Sequence, residues 1–222
     1  MVSPELIFLK FLNKVNKGNT QGDTAIDKDR FVLIFNEVKN RWVEQHLKEK
    51  DSILIDSLWE IVKTTELKVP KVNIDDYSEY EIPGDFYELI LASCIAKRGS
   101  CRRKIFLREV KNQDKNNLRF NSNYRPDFDY EWSFVSLQDS HIRVYKKDFD
   151  VEGLSIEYYK VIPDLDIEGY IHLDGSLSTN VPIPLSEQYV DQIINLAAEE
   201  FERNFQNPQD LQIAKDRTKS QE

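Results

Sequence analysis

The chain has 222 residues, 40% hydrophobic and 31% charged, enough for one domain or two small ones with a packed core under a heavily charged surface. Thirty bases against 39 acids leave a formal charge of −9, which argues against a general nucleic-acid coat or a membrane-surface binder, since both need a positive face. No window approaches the roughly 18 consecutive apolar residues of a membrane helix, and the two cysteines, Cys94 and Cys101, form no CxxC, so reduced thiols in a cytosolic place of folding are expected.

The N-terminal apolar stretch lacks a basic segment before it and a small-residue cleavage site after it, so it reads as a helix and not a signal peptide. That helix spans 4–15, with Pro4 in its first turn. A loop follows at Gly18–Gly22. Asp27 sits at an N-cap position, and Phe31, Ile34, Phe35, Val38 and Trp42 follow at helical spacing over about 27–49. Asp51-Ser52 opens a second helix with a stripe of Leu54, Ile55, Leu58, Ile61 and Val62. Residues 65–82 lose that period and read as extended, with an exposed acidic stretch through Asp75, Asp76, Glu79 and Glu81. Ile82-Pro83-Gly84-Asp85 starts a third helix that buries Phe86, Leu89, Ile90 and Ser93 or Cys94. It ends at Gly99 after Lys97 and Arg98.

From 100 to 161 the period becomes two, with strands around Ile105 and Leu107, at Trp132–Val135, at Ile142–Tyr145 and at Leu154–Val161. Lys146–Gly153 reads as a hairpin connection. Residues 164–184 form a loop or irregular hairpin, punctuated by Gly169, Gly175, Pro182 and Pro184. Ser186 caps a last helix striped by Val190, Ile193, Ile194, Ala197, Phe201 and Phe205. The order is helices, then strands, then a closing helix, which makes the chain α+β. The expected division is a helical core of 1–99 with 186–206, an antiparallel β-rich part over 100–185, and a flexible arm over 207–222 in which Leu211 and Ile213 are the large apolar residues.

No phosphate-binding loop, dinucleotide fingerprint, HExxH, EF-hand loop or GxSxG is present. His46, His141 and His172 stand alone, although His172 and Asp174 would share one side of a strand. Asp127, Asp129 and Glu131 alternate and could offer oxygen ligands to a divalent cation. No cofactor is implied. The strongest charge asymmetry is basic: Lys97, Arg98, Arg102, Arg103, Lys104, Arg108 and Lys111, opposed only by Glu109. Such an island can face an anion or an acidic neighbour. It can equally be a solvated helix end and a guarded edge strand.

Ile82-Pro83-Gly84-Asp85-Phe86-Tyr87, Phe35-Asn36-Glu37-Val38, Val144-Tyr145, and Leu154 through Lys160 with Pro163 follow a recognisable order. Asp166–Tyr170, the Asp174-Gly175 turn, Ser178-Thr179-Asn180, Ile193–Ala198 and Pro208-Gln209 continue it. Over about 30–210 the chain resembles the adaptor, or ring, proteins at the head–tail junction of short-tailed bacteriophages, notably the crAss-like group. The resemblance implies a virion structural component and not an enzyme, assembled in the host cytoplasm. It implies copies of the chain in a dodecameric ring under the portal, extending the DNA channel and docking tail proteins, with DNA passing through unbound and no membrane involved. Arg98, Arg102, Arg103, Lys104 and Arg108 would then meet Asp75, Asp76 and Glu79 of a neighbour, and the arm with Leu211 and Ile213 would order on a partner. The alternatives are a nucleic-acid-binding module that stacks bases on Tyr124, Tyr130 and Trp132, a neck or tail-completion protein of another phage type, and an enzyme with an unrecognised carboxylate site.

Overall fold

A computed structural model describes residues 2–17, 26–48, 58–121 and 123–206. The expected loop at 18–22, Leu54 and Ile55, and the arm with Leu211 and Ile213 lie outside them. The chain is α+β and divides into two compact units, residues 1–60 with 162–222, and residues 61–161. The sequence placed the divisions at 99/100 and 185/186. They differ because Phe86–Arg98, read as helix, is a strand, and because 162–185, read with the β-rich part, groups with the helices.

Among the described residues the first unit holds three long helices. Helix α1 is Pro4–Lys17, α2 is Lys28–Lys48 and α4 is Glu187–Gln206, and α4 packs against both others. Ser3 caps α1 through its Oγ, which accepts the Leu6 N–H at 3.3 Å, and Pro4 fills the first helical position, where no N–H is needed. The stripes read from sequence are the buried faces: Phe31, Phe35, Val38 and Trp42 on α2, and Val190, Ile193, Ile194, Ala197 and Phe201 on α4. Phe31 touches the rings of Phe8, Phe11 and Phe35, and Phe11 meets Phe201 edge-on at 5.7 Å. Truncating Phe31 to Ala would cost about 3–5 kcal/mol, the range for emptying a fully buried aromatic site.

The irregular segment 162–185 is fastened to α2 by polar side chains. Lys39 is fully buried. Its Nζ donates to the Pro163 carbonyl at 3.0 Å and to Asp164 Oδ1 at 2.6 Å. Burial pushes its pKa below the ordinary lysine value, against the pull of Asp164. Asn36 holds Leu165 at both ends: Nδ2 donates to the Leu165 carbonyl at 2.9 Å, and Oδ1 accepts the Leu165 N–H at 2.8 Å. One side chain thus does for Leu165 what a neighbouring strand would do.

The second unit is one eight-stranded sheet in the order β1-β8-β4-β5-β6-β7-β3-β2. The strands are β1 (Val62–Leu67), β2 (Val72–Asn73), β3 (Tyr77–Glu81), β4 (Phe86–Arg98), β5 (Cys101–Glu109), β6 (Ser133–Gln138), β7 (His141–Tyr145) and β8 (Asp150–Lys160). Its core is one cluster that includes Tyr80, Cys94, Ile105, Phe128, Val144, Leu154 and Ile156. Three expectations are corrected here. Leu58 to Val62 is not helix: a short 3-10 turn at Trp59–Ile61 leads straight into β1. The third helix is instead β4. Its pairing with β8 shifts register at Phe86/Glu88, Leu89/Leu91 and Ile95/Ala96. At the first two the extra residue lies on β4, so its apolar positions lose their period of two and imitate helical spacing, while at the third it lies on β8. Gly99, read as a helix terminator, lies with Ser100 in a two-residue hairpin loop at φ +59 that joins β4 to β5.

The hairpin expected at 146–153 is a crossing. β7 pairs with β6 and β3, while β8 pairs with β1 and β4. The connection buries Phe149 in the core rather than exposing it at a turn. The sheet is also not wholly antiparallel, because β5 and β6 run parallel. Parallel neighbours need a long crossover, which residues 110–132 supply. They carry a short helix, α3 (Lys115–Phe120), that the sequence reading did not contain.

Candidate docking surface

The pleat of β5 sorts the basic island. Residues 101–109, Cys-Arg-Arg-Lys-Ile-Phe-Leu-Arg-Glu, alternate, so Arg103, Ile105 and Leu107 share one face while Arg102, Lys104, Phe106 and Arg108 share the other. Across the hairpin, Ala96 pairs with Arg103, Lys97 with Arg102, Ile95 with Lys104, and Ser93 with Phe106.

On the core face the cations are already engaged. The guanidiniums of Arg98 and Arg103 lie 4.6 and 5.2 Å from the centre of the Phe128 ring. Arg98 pairs with Asp129 and, at 2.8 Å, with Asp148, and Arg103 pairs with Glu131 at 3.2 Å. The hydrogen bond to Arg98 holds the Asp129 carboxyl below the ordinary aspartate range. Asp127, Asp129 and Asp148 are grouped closely enough to hold a cation. The Arg98 guanidinium, however, already bonds Asp129 and Asp148, and Asp127 Oδ1 accepts the N–H groups of Asp129 and Tyr130. The expected alternating strand of Asp127, Asp129 and Glu131 is instead a turn closed by the Asp127–Trp132 bridge, with Glu131 at φ +52.

The outer face differs. Glu152 binds Arg102 at 2.7 Å and Lys97 at 3.1 Å. Beyond it Phe106 is 59% exposed, and Leu91 and Ile95 are exposed beside it. The Lys104 ammonium lies 5.2 Å from the centre of the Phe106 ring. On β8 the residues next to this patch are Ser155 opposite Ser93, Gly153 opposite Ile95 and Glu157 opposite Leu91, so two of the three are small. An aliphatic and aromatic patch edged by Lys104 and Arg108 therefore faces water from a rigid hairpin. Sequence reasoning named the cations but missed Leu91, Ile95 and Phe106; the strand reading around Ile105 and Leu107 already turned Phe106 to the opposite face, whereas Leu91 and Ile95 lay in a segment read as helix.

The acidic candidates are dispersed. Asp75 is exposed in the turn before β3. Asp76 pairs with Arg119 at 2.5 Å. Glu79 is buried, and its Oε2 accepts Arg143 Nε at 2.5 Å. Two of the three acids expected to meet a neighbour are thus neutralised within the chain.

Arg108 also borders a cleft of about 530 Å³ lined by Lys111, Asn117, Leu118, Tyr124 and Trp132. Trp132 Nε1 donates to the Tyr124 carbonyl at 2.8 Å, which fixes the indole in the wall. Tyr130, grouped with these two by sequence, is largely exposed and is not part of the lining.

In the first unit, His172 does not pair with Asp174. Its Nε2 lies 3.2 Å from Asp166 Oδ2, and Asp174 instead accepts both the N–H and the hydroxyl of Ser176. Asp166 is the hub of this segment, also accepting Tyr170 OH at 2.7 Å and the N–H groups of Ile167 and Thr179. Burial alone would raise its pKa. The bonds from Thr179, Tyr170, Ile167 and His172 outweigh that and hold it below the ordinary aspartate value. The two cysteines are free, Cys94 buried and Cys101 exposed. No helix among the described residues is long and apolar enough to cross a membrane. Neither protein-family models nor curated proteins match the chain.

Proposed function

We propose that this protein is an assembling structural subunit: a ring protein at the head–tail junction of a short-tailed phage, seated below the portal, extending the DNA channel and docking tail components. The observation that carries this reading is the exposed Leu91–Ile95–Phe106 patch with Lys104 and Arg108 at its edge. Apolar side chains held in water on a rigid sheet, with cations beside them, suit a protein partner. The sequence resemblance over about 30–210 supplies the architectural context. The net charge of −9 suits passage of DNA without capture, since binding would need cations to neutralise phosphates. The test is negative-stain electron microscopy of the purified chain, alone and with portal. Rings seated on the portal are expected, and a portal that stays bare at saturating subunit overturns the reading.

A second reading rests on the cleft, where Trp132 and Tyr124 offer stacking surfaces and Arg108 and Lys111 offer cations. It expects salt-sensitive binding of a labelled single-stranded oligonucleotide with quenching of tryptophan fluorescence. No anisotropy change at low salt removes it.

A further inference from the structure

The segment 161–202 contains no Lys or Arg, yet carries Asp164, Asp166, Glu168 and Asp174 among its acids. Within it, residues 171–177 form a small hairpin closed by the Ile171–Leu177 bridge. The His172 N–H donates to the Ser176 carbonyl at 2.9 Å, the Gly175 N–H to the His172 carbonyl at 2.9 Å, and Gly175 turns the chain at φ +84. The base of the hairpin is held by Asp166 through Tyr170 and His172, and by Ser178 Oγ, which accepts the N–H groups of Gly169 and Tyr170. On this braced hairpin Ile171 is 67% exposed, Leu177 is 75% exposed, and Leu173 is fully exposed. Hydrogen bonds from Ser176 keep the Asp174 carboxyl below the ordinary aspartate range, and so charged.

We infer that this hairpin is a knob that docks on the Leu91–Ile95–Phe106 face of a second copy of the chain, with Asp174 toward Lys104 and Arg108. Both surfaces are apolar, and their charges are opposite. The knob is already formed, so docking does not carry the entropy cost of ordering a loop. The contact joins two different surfaces, so it is head-to-tail: every open assembly keeps a free knob at one end and a free face at the other, and copies add until the rotation closes. Opposite charge at the rim also makes association weaken with salt. The inference rests on the reading of the chain as an assembling subunit and names the contact that such a subunit would use.

Head-to-tail contact is tested by complementation. One variant combines Leu173→Asp with Leu177→Asp, and the other combines Lys104→Glu with Phe106→Glu. All four positions are exposed, and unchanged circular dichroism and melting check the folds. Leu173→Ser with Leu177→Ser is the milder knob variant. In sedimentation velocity the wild type should grow with concentration, while each variant alone should self-associate at least about tenfold more weakly, since each loses buried apolar contact. Mixed one to one, the variants should form a dimer that grows no further, through the intact knob of one and the intact face of the other. The contact is overturned by a mixture that stays monomeric while the wild type assembles, by variants that assemble like the wild type, or by a wild type monomeric at every concentration. Rings that still form on the portal with both variants would sink this contact and leave the ring reading standing. A portal left bare by the wild type would sink the ring reading itself.

Discussion

Replacing Asn36 tests whether the long irregular segment of the first unit depends on α2. Leu165 is almost fully buried, and both of its backbone groups bond to the Asn36 side chain at 2.8 and 2.9 Å. Asn36→Ala removes two hydrogen bonds, and each buried group left without a partner costs about 1–3 kcal/mol. Alanine returns roughly 0.6 kcal/mol of helix propensity. The expected loss is therefore about 1.5–5 kcal/mol. Asn36→Asp should be informative in a different way. The introduced carboxylate can accept the Leu165 N–H but faces the Leu165 carbonyl with a second acceptor. Its folded pKa then lies above the unfolded value of about 3.9, so the variant binds more protons folded than unfolded and loses stability as pH rises through that interval. Urea unfolding at pH 4 and pH 7 measures both effects. Trp42, buried on α2 and packed 5.5 Å from Tyr189, reports on this unit, and hydrogen exchange of the Leu165 amide reports on the clasp itself. A loss below about 0.5 kcal/mol for Asn36→Ala, with Leu165 still protected, would refute the reasoning, because no satisfied pair of buried groups is that cheap to break.

Three further outcomes are expected. Arg143→Met should destabilise the sheet by about 3–5 kcal/mol in urea unfolding, because it leaves the buried Glu79 carboxylate without its cation; Glu79→Gln, which keeps a hydrogen-bond acceptor, should cost clearly less. Asp166 has a depressed folded pKa, so its contribution is present above the ordinary value near 3.8 and is lost as pH falls through the folded value; the Thr179 amide should lose exchange protection on acidification, and in Asp166→Asn that loss should already exist at pH 7. Burial pushes the Cys94 thiol up to about 12, so a thiol reagent at pH 8 should label one cysteine per native chain, Cys101, and reach Cys94 only after unfolding.

The helices α2 and α4 were legible because each is long enough to repeat its stripe over several turns, and one face meets one core; α1 was legible as an apolar stretch with Pro4 in its first turn. Short strands at Ile105–Leu107, Val135, Val144 and Ile156 were legible from alternation. β4 was not, because its register shifts erase the alternation that marks a strand. Gly99-Ser100, a usable hairpin signal, was outweighed by Lys97 and Arg98, which suit a helix end equally well.

At the candidate site the sequence identified a dense run of cations but could not say which are free. That depends on partners 28 to 50 residues away in the chain: Asp129 and Asp148 for Arg98, Glu131 for Arg103, and Glu152 for Arg102. Pairing of charges is a tertiary fact, because sequence spacing controls only neighbours within a helix turn or along one strand.

By itself, then, the sequence determined the α+β class, the three long helices, the buried stripes of α2 and α4, the acidic balance and the presence of a basic island. Those are local or summed properties, set by periodicity and composition within one element. Only the tertiary structure decided that Phe86–Arg98 is a strand, that β5 and β6 run parallel, and that Asn36 and Lys39 hold a remote loop. It also decided which half of the basic island faces water beside Phe106. Each of these depends on which distant segments pair, and the free energy of pairing is paid in contacts that no single stretch of chain contains.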